Sequence, residues 1–210
     1  MRFGVDEAGK GPVLGSMFVA AVRGPPPAIP EEVDDSKRLT ETKREAIASE
    51  LRADSRLSIE VSEVTPKEID TTNMNALTVG AHADVINAIA EDGDHGVCDA
   101  ADVDASRFES RVRSQLNAAV TLDATHGADT DDPFVAAASI IAKSERERHV
   151  DVLKNRFGEV GSGYPSDPKT RAFLRQYFSD HGAFPAGVRT SWATCDSIRA
   201  ESEQTDIEEF

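Results

Sequence analysis

An apolar run, Phe3-Gly4-Val5, stops at two adjacent carboxylates, Asp6 and Glu7, and Ala8-Gly9-Lys10-Gly11-Pro12 follows at once. This stretch limits the fold more than any other: a strand ends here, and its end faces something polar. Neighbouring residues of an extended backbone point to opposite faces. A site using both acids therefore needs a distorted strand end, or one acid here and a second from elsewhere. The glycines permit positive φ and close backbone approach, and successive N–H groups in such a turn can form an anion-binding nest. Carboxylates beside a phosphate-sized nest are the ingredients of a divalent-metal site that works on phosphate. A Gly-Pro loop after an edge strand, with two solvated acids, accounts for the same residues equally well.

The rest of the chain alternates strand and helix patterns. The run 16–22 is continuously apolar after Ser16, which predicts a strand buried on both faces and helices on both sides of an α/β sheet. A helix is expected over about 40–52, a half-exposed strand over 57–64, and a short turn or helical piece over 66–70. An amphipathic helix follows over about 75–90, in which His82 reads as an ordinary, partly exposed residue. Gly96-Val97-Cys98-Asp99 repeats the pattern of Val5-Asp6, an apolar strand ending in acid. Ligands of open α/β sheets gather at the carboxyl ends of strands, so two such ends make a metal site more plausible than one. Asp102 and Asp104 invite the same reading, but Asp104 is also a cap for a helix over 106–116. A further strand is expected over 119–122, ending at Asp123 before a loop with Asp129, Asp131 and Asp132. Pro133 then opens a helix over about 134–157 whose small-residue first half packs tightly on the sheet. Helices over 170–181 and 189–201 complete the chain.

Charge complicates any nucleic-acid reading. The 210 residues carry a formal net charge of −15, from 23 basic and 38 acidic side chains, which would repel phosphate at ordinary salt. Only 7 of the basic residues are lysine, and the acids are spread along the whole chain. Such a surface resembles that of proteins from salt-in halophiles. At molar salt the Debye length falls to about 3 Å, so net charge neither repels nor attracts a phosphate chain strongly. Cys98 and Cys195 form no disulfide framework or metal spacing, and no apolar run is long enough to cross a bilayer. A soluble cytoplasmic protein is expected, and no exposed apolar stripe calls for a partner, so a monomer is the default.

Five motifs in order, DEAGKGP, DDSKRLT, CDAADVD, the segment from GAD to AAASIIAK, and GSGYPSDPKTR, resemble ribonuclease HII in its archaeal form, over residues 3–192. The resemblance implies a ribonuclease H-like fold: a mixed sheet flanked by helices, with a helical C-terminal extension. The type-2 domain would span 1–202, with an α/β core to about 152, an extension over about 153–202 and a tail over 203–210. It implies cleavage of the RNA strand of RNA–DNA hybrids, and cutting on the 5′ side of ribonucleotides embedded in duplex DNA. Two ions, Mn²⁺ or Mg²⁺, would be held by Asp6, Glu7, Asp99 and Asp129, leaving 5′-phosphate and 3′-hydroxyl ends. Asp129 stands at the family's distance before Ala136-Ala137-Ala138-Ser139, although Gly127 replaces the family's lysine two residues earlier. Gly9-Lys10-Gly11 matches the glycine-basic-glycine turn whose backbone reads the 2′-hydroxyl, with Lys10 for the commoner arginine, and Tyr164 matches the tyrosine that packs on the sugar. Ser36, Lys37, Arg38 and Lys143 match phosphate contacts, and His126 lies in the loop beside the site. Gln204, Ile207 and Phe210 resemble a peptide that binds the sliding clamp. A non-catalytic hybrid-binding module is the alternative of a different class; the presence of all four acids weighs against it.

Overall fold

β1 (Arg2–Ala8) lies at the middle of a five-stranded sheet of order β3-β2-β1-β4-β5. The computed structural model describes residues 1–33 and 39–208, with side chains through 203. β2 (Met17–Gly24) pairs antiparallel with β1 and with β3 (Ser58–Val64). β4 (His95–Asp99) runs parallel to β1, and β5 (Thr121–Thr125) parallel to β4. The carboxyl ends of β1, β4 and β5 therefore share one edge of the sheet, the mixed arrangement that the motifs imply.

Both faces are covered, as the unbroken burial of Met17 to Val22 requires. On one face α3 (Met74–Ile89) and α4 (Ala105–Arg113) pack Val79, Ile86 and Phe108 against Phe3, Val5, Val19 and Ala21. On the other, α5 (Pro133–Phe157) and α1 (Glu41–Ala53) pack Ala137, Ile140, Ile141 and Leu51 against Ala20 and Val22. α5 starts directly on β1: a Cβ at Gly4 would stand 2.2 Å from the Phe134 carbonyl carbon. Only glycine on the strand lets the helix backbone at Phe134 and Val135 come so close. α2 (Pro66–Thr71) is a single capped turn, its Thr65 and Glu68 bonding reciprocally. α6 (Pro168–His181) and α7 (Ala193–Glu208) form a third cluster, in which Leu174, Val188, Cys195 and Ile198 meet Val13 and Leu14 just after β1.

Four local expectations need correction. β5 begins at Thr121 and runs through Asp123, because its parallel register with β4 extends from His95↔Thr121 to Asp99↔Thr125; the exposed Asp123 faces His95 at 3.1 Å. α4 stops at Arg113, where Ser114 caps it through the Ser110 carbonyl. α7 starts at Ala193, later than expected, because Arg189 is buried and Arg189 to Trp192 form a turn (Trp192 N–H to Arg189 O, 3.1 Å). His82 is completely buried, since its ring packs edge-on against Phe108 with centroids 5.0 Å apart. Among the described residues no helix is long and apolar enough to cross a membrane.

Candidate active site

The β1–β4 register ends with Val5 opposite Cys98, so Asp6 and Asp99 stand one step further on at the same level of neighbouring strands. Strand alternation puts Asp6 on the α5 face with Gly4 and turns Glu7 toward α3. The strand end is thus regular, and the two acids point to opposite faces as the extended backbone dictates. Asp6 is buried, and its Oδ1 accepts from the Glu7 N–H at 2.7 Å. Burial raises its pKa to about 7; Ser139 opposes the rise, though its hydroxyl forms no well-made hydrogen bond, while the charge of Asp99 adds to it. Burial, followed by the charge of Asp6, raises Glu7 to about 8 against the pull of Lys10.

Among the described residues Glu7 Oε2 is buried without a hydrogen-bond partner and lies 3.6 Å from Nε2 of His82, which has none either. His82 Nδ1 is 2.9 Å from the Thr78 carbonyl and so carries the hydrogen, leaving the Nε2 lone pair toward the carboxylate. Burial holds His82 neutral, with its pKa lowered to about 4. With its pKa raised to about 8, the Glu7 carboxyl is largely protonated at neutral pH and faces the Nε2 lone pair as a potential donor.

Asp99 Oδ1 accepts from the N–H groups of Gly127 (2.7 Å) and Ala128 (3.2 Å). Gly127 has φ +70°, a left-handed conformation that suits glycine. These bonds bring the 3₁₀ turn Ala128–Thr130, with the buried Asp129, beside the end of β4. The neighbouring acids are engaged elsewhere. Asp132 caps α5 through Phe134 and pairs with Arg2 at 2.6 Å, and Asp123 pairs with His95. Asp102 holds Arg107 at 2.6 Å, and Asp104 caps α4, as its position in the sequence suggests.

No three His, Cys, Asp or Glu side chains among the described residues converge closely enough to hold an ion. The donor set nevertheless fits a hard divalent cation. It offers carboxylate oxygens, two of the acids are driven toward their neutral forms by burial and mutual repulsion, and one buried oxygen of Glu7 has no partner.

Beyond β1 the 9–11 turn is held from beneath. Arg189, fully buried, donates from Nη1 to the Lys10 carbonyl (2.7 Å), from Nη2 to that of Gly9, and from Nε to that of Gly15 (2.9 Å). Burial, with the nearby charge of Arg146, lowers its pKa to about 10, so it stays charged at neutral pH. The Lys10 ammonium donates to the Ala101 carbonyl and ties the turn to the loop after β4. A cavity of about 560 Å³ opens above, lined by Glu7, Lys10, Gly11, Lys143, Arg146 and Tyr164. Tyr164 is 46 % exposed, and its ring edge would lie 3.6 Å from a Cβ placed on Gly11. Glu7, the glycine turn, Lys143 and Tyr164 therefore share one cavity. His126 is exposed, its Nδ1 3.3 Å from the Ala100 carbonyl. Ser36, Lys37 and Arg38 lie outside the described residues, as does Phe210; Gln204 and Ile207 are on α7, but their side chains are not described. Arg146 and Arg189 do not stand out in the sequence, where surface-type arginines carry no periodic signal, and His82 reads there as partly exposed although it is fully buried.

The family model for ribonuclease HII matches residues 3–195. The chain is 58 % identical over 207 residues to the ribonuclease HII of Natronomonas pharaonis, covering 99 % of this chain and 98 % of that protein. Its structure is similar to that of ribonuclease H2 from Pyrococcus horikoshii, with TM-score 0.88 and 39 % identity over 96 % of this chain and 98 % of the other. It is also similar to the ribonuclease HII of Archaeoglobus fulgidus solved in a complex with PCNA, with TM-score 0.84 and 36 % identity over 95 % and 97 % of the two chains.

Proposed function

The chain belongs to the ribonuclease HII family, and on that premise we propose that it cuts on the 5′ side of ribonucleotides embedded in duplex DNA as well as within hybrids. Membership makes it an endoribonuclease of the ribonuclease H class, acting on the RNA strand of RNA–DNA hybrids. The observation that carries the finer reading is the level pairing of Asp6 and Asp99 on adjacent strand ends, with Glu7 among the residues that line the cavity shared by Tyr164 and the glycine turn.

Asp6, Glu7, Asp99 and Asp129 would hold a pair of divalent ions, Mn²⁺ or Mg²⁺. When bound, these would supply an activated water and stabilise the leaving oxygen, giving 5′-phosphate and 3′-hydroxyl ends. The protein's own groups do the rest. The backbone of Gly9, Lys10 and Gly11 reads the 2′-hydroxyl, the group that separates RNA from DNA, and Arg189 keeps that backbone in shape. Tyr164 packs on the sugar. Lys143 offsets carboxylate charge near Asp6 and is available to a phosphate at the cavity wall. Ser36 and Lys37 contact phosphate in this reading, from the sequence pattern alone. The tail with Gln204, Ile207 and Phe210 would bind a sliding clamp; the pattern suggests it, and the Archaeoglobus relative solved with PCNA supports it.

The test is an end-labelled DNA duplex holding one ribonucleotide, incubated in molar KCl with Mn²⁺ or Mg²⁺. The reading predicts a single cut on the 5′ side of the ribonucleotide, leaving a 3′-hydroxyl. Cutting only of a long hybrid would retain the enzyme class and overturn the specificity.

A further inference from the structure

Arg146 is 7 % exposed, pairs with no carboxylate among the described residues, and sits on α5 one turn beyond Lys143. Its Nη2 donates to the carbonyls of Leu14 (3.3 Å) and Ser162 (3.0 Å), which belong to the segments after β1 and before Tyr164. Its Nε and Nη1 are buried and have no hydrogen-bond partner among the described residues. The side chain is wedged between two glycines of positive φ. A Cβ on Gly9 (φ +86°) would stand 3.0 Å from Arg146 Cδ, and one on Gly163 (φ +85°) only 2.7 Å from Nη2. The same two segments also bond directly, since the N–H groups of Val13 and Leu14 both donate to the Gly163 carbonyl, at 2.9 and 3.2 Å.

A buried guanidinium without a counter-ion, with two donors unspent, is costly. Its position gives the reason for keeping it. The planar group fixes the spacing between the backbone that faces the 2′-hydroxyl and the tyrosine that faces the sugar. Both carbonyls are taken by the single Nη2, so what lysine lacks is the rigid guanidinium plane that fills the space between Gly9 and Gly163.

We propose that Arg146 is a positioning residue for ribonucleotide recognition: wedged between Gly9 and Gly163, it sets the distance between the 9–11 turn and Tyr164, so that both meet one sugar. The inference rests on the reading of those two elements given above. It makes sugar discrimination a joint property of two loops that are far apart in sequence.

The experiment measures binding, without catalysis, of a fluorescent duplex carrying one ribonucleotide and of its all-deoxy counterpart, in EDTA and molar KCl. It compares wild type, Arg146→Lys, Tyr164→Ala and the double variant, each first shown to be folded by thermal melting. Wild type should prefer the ribonucleotide duplex. Each single change should reduce that preference about tenfold, and the double variant should be no worse than the weaker single one, because both remove the same coupled contact. A folded Arg146→Lys with wild-type preference, a Tyr164→Ala without effect, or losses that multiply in the double variant would overturn the coupling. A wild type that binds both duplexes equally would instead remove the sugar reading itself, and the proposal with it. Should Arg146→Lys melt below the assay temperature, Arg146→Gln, which keeps a stem and a donor, is held to the same outcomes.

Discussion

Arg189 Nη1 donates to the Lys10 carbonyl at 2.7 Å across 179 positions of sequence, so the segment before α7 sets the shape of the turn that follows β1. The same guanidinium also takes the carbonyls of Gly9 and Gly15 and lies over the Trp192 ring, 5.2 Å from its centroid. Removing it strands three acceptors, two of them in fully buried bonds, and leaves a cavity. Arg189→Ala is expected to destabilise the protein by about 3–5 kcal/mol, read as a fall in the denaturant midpoint with unchanged slope. A loss under about 1 kcal/mol would mean that water replaces these bonds.

The carboxylate of Asp94 carries a pH dependence. It receives Arg23 Nε at 2.6 Å and the terminal ammonium of Met1 at 2.9 Å. Burial raises its pKa, but the bonds from Arg23 and the terminus outweigh burial and bring it down to about 2. A carboxyl held lower in the folded than in the unfolded state stabilises above the unfolded pKa, near 3.8, and loses that contribution as pH falls toward 2. Asp94→Asn should therefore cost about 2 kcal/mol at neutral pH, with the gap to wild type closing between about pH 4 and 2. Equal melting temperatures at pH 7 would contradict this.

Two glycines of the 9–11 turn should behave differently. A methyl on Gly9 would meet the Ser16 carbonyl oxygen at 2.8 Å and has φ +86°, whereas a methyl on Gly11 meets only Tyr164 at 3.6 Å. Gly9→Ala is expected to lower stability by about 1–3 kcal/mol. Gly11→Ala should melt like wild type yet cut a single ribonucleotide at least about tenfold more slowly, because its methyl occupies the approach to the sugar. Calorimetric melts beside cleavage rates separate the two, and a Gly11→Ala with full activity would place the sugar elsewhere.

Much of the fold was legible because local chemistry and tertiary demand agree. Thr40, Asp104 and Asp167 cap helices where the sequence offers oxygen acceptors, and Pro133 and Pro168 open helices at their first positions. The level placing of Asp6 and Asp99 was legible as two apolar strands ending in acid. What stayed hidden depends on partners remote in sequence or on main-chain acceptors. His82 is buried because Thr78, one turn earlier, takes its Nδ1 hydrogen and Phe108 covers its ring. Arg146 and Arg189 look like surface residues, and their burial is made tolerable by main-chain carbonyls, most of them from the first 15 residues of the chain. The start of β5 is set by register with β4, which no pattern within 119–125 encodes.

The central claim is that Asp6, Glu7, Asp99 and Asp129 hold the ions that cut beside a ribonucleotide. Asp99→Asn tests it most directly, because asparagine keeps an oxygen to accept from Gly127 and Ala128 and so preserves the fold while removing the charge. The single measurement is Mn²⁺-dependent cleavage of a one-ribonucleotide duplex by wild type and Asp99→Asn at matched, verified folding. The account predicts a 5′-side cut by wild type and a loss of at least about a hundredfold in the variant. A folded Asp99→Asn that cuts at the wild-type rate would contradict it.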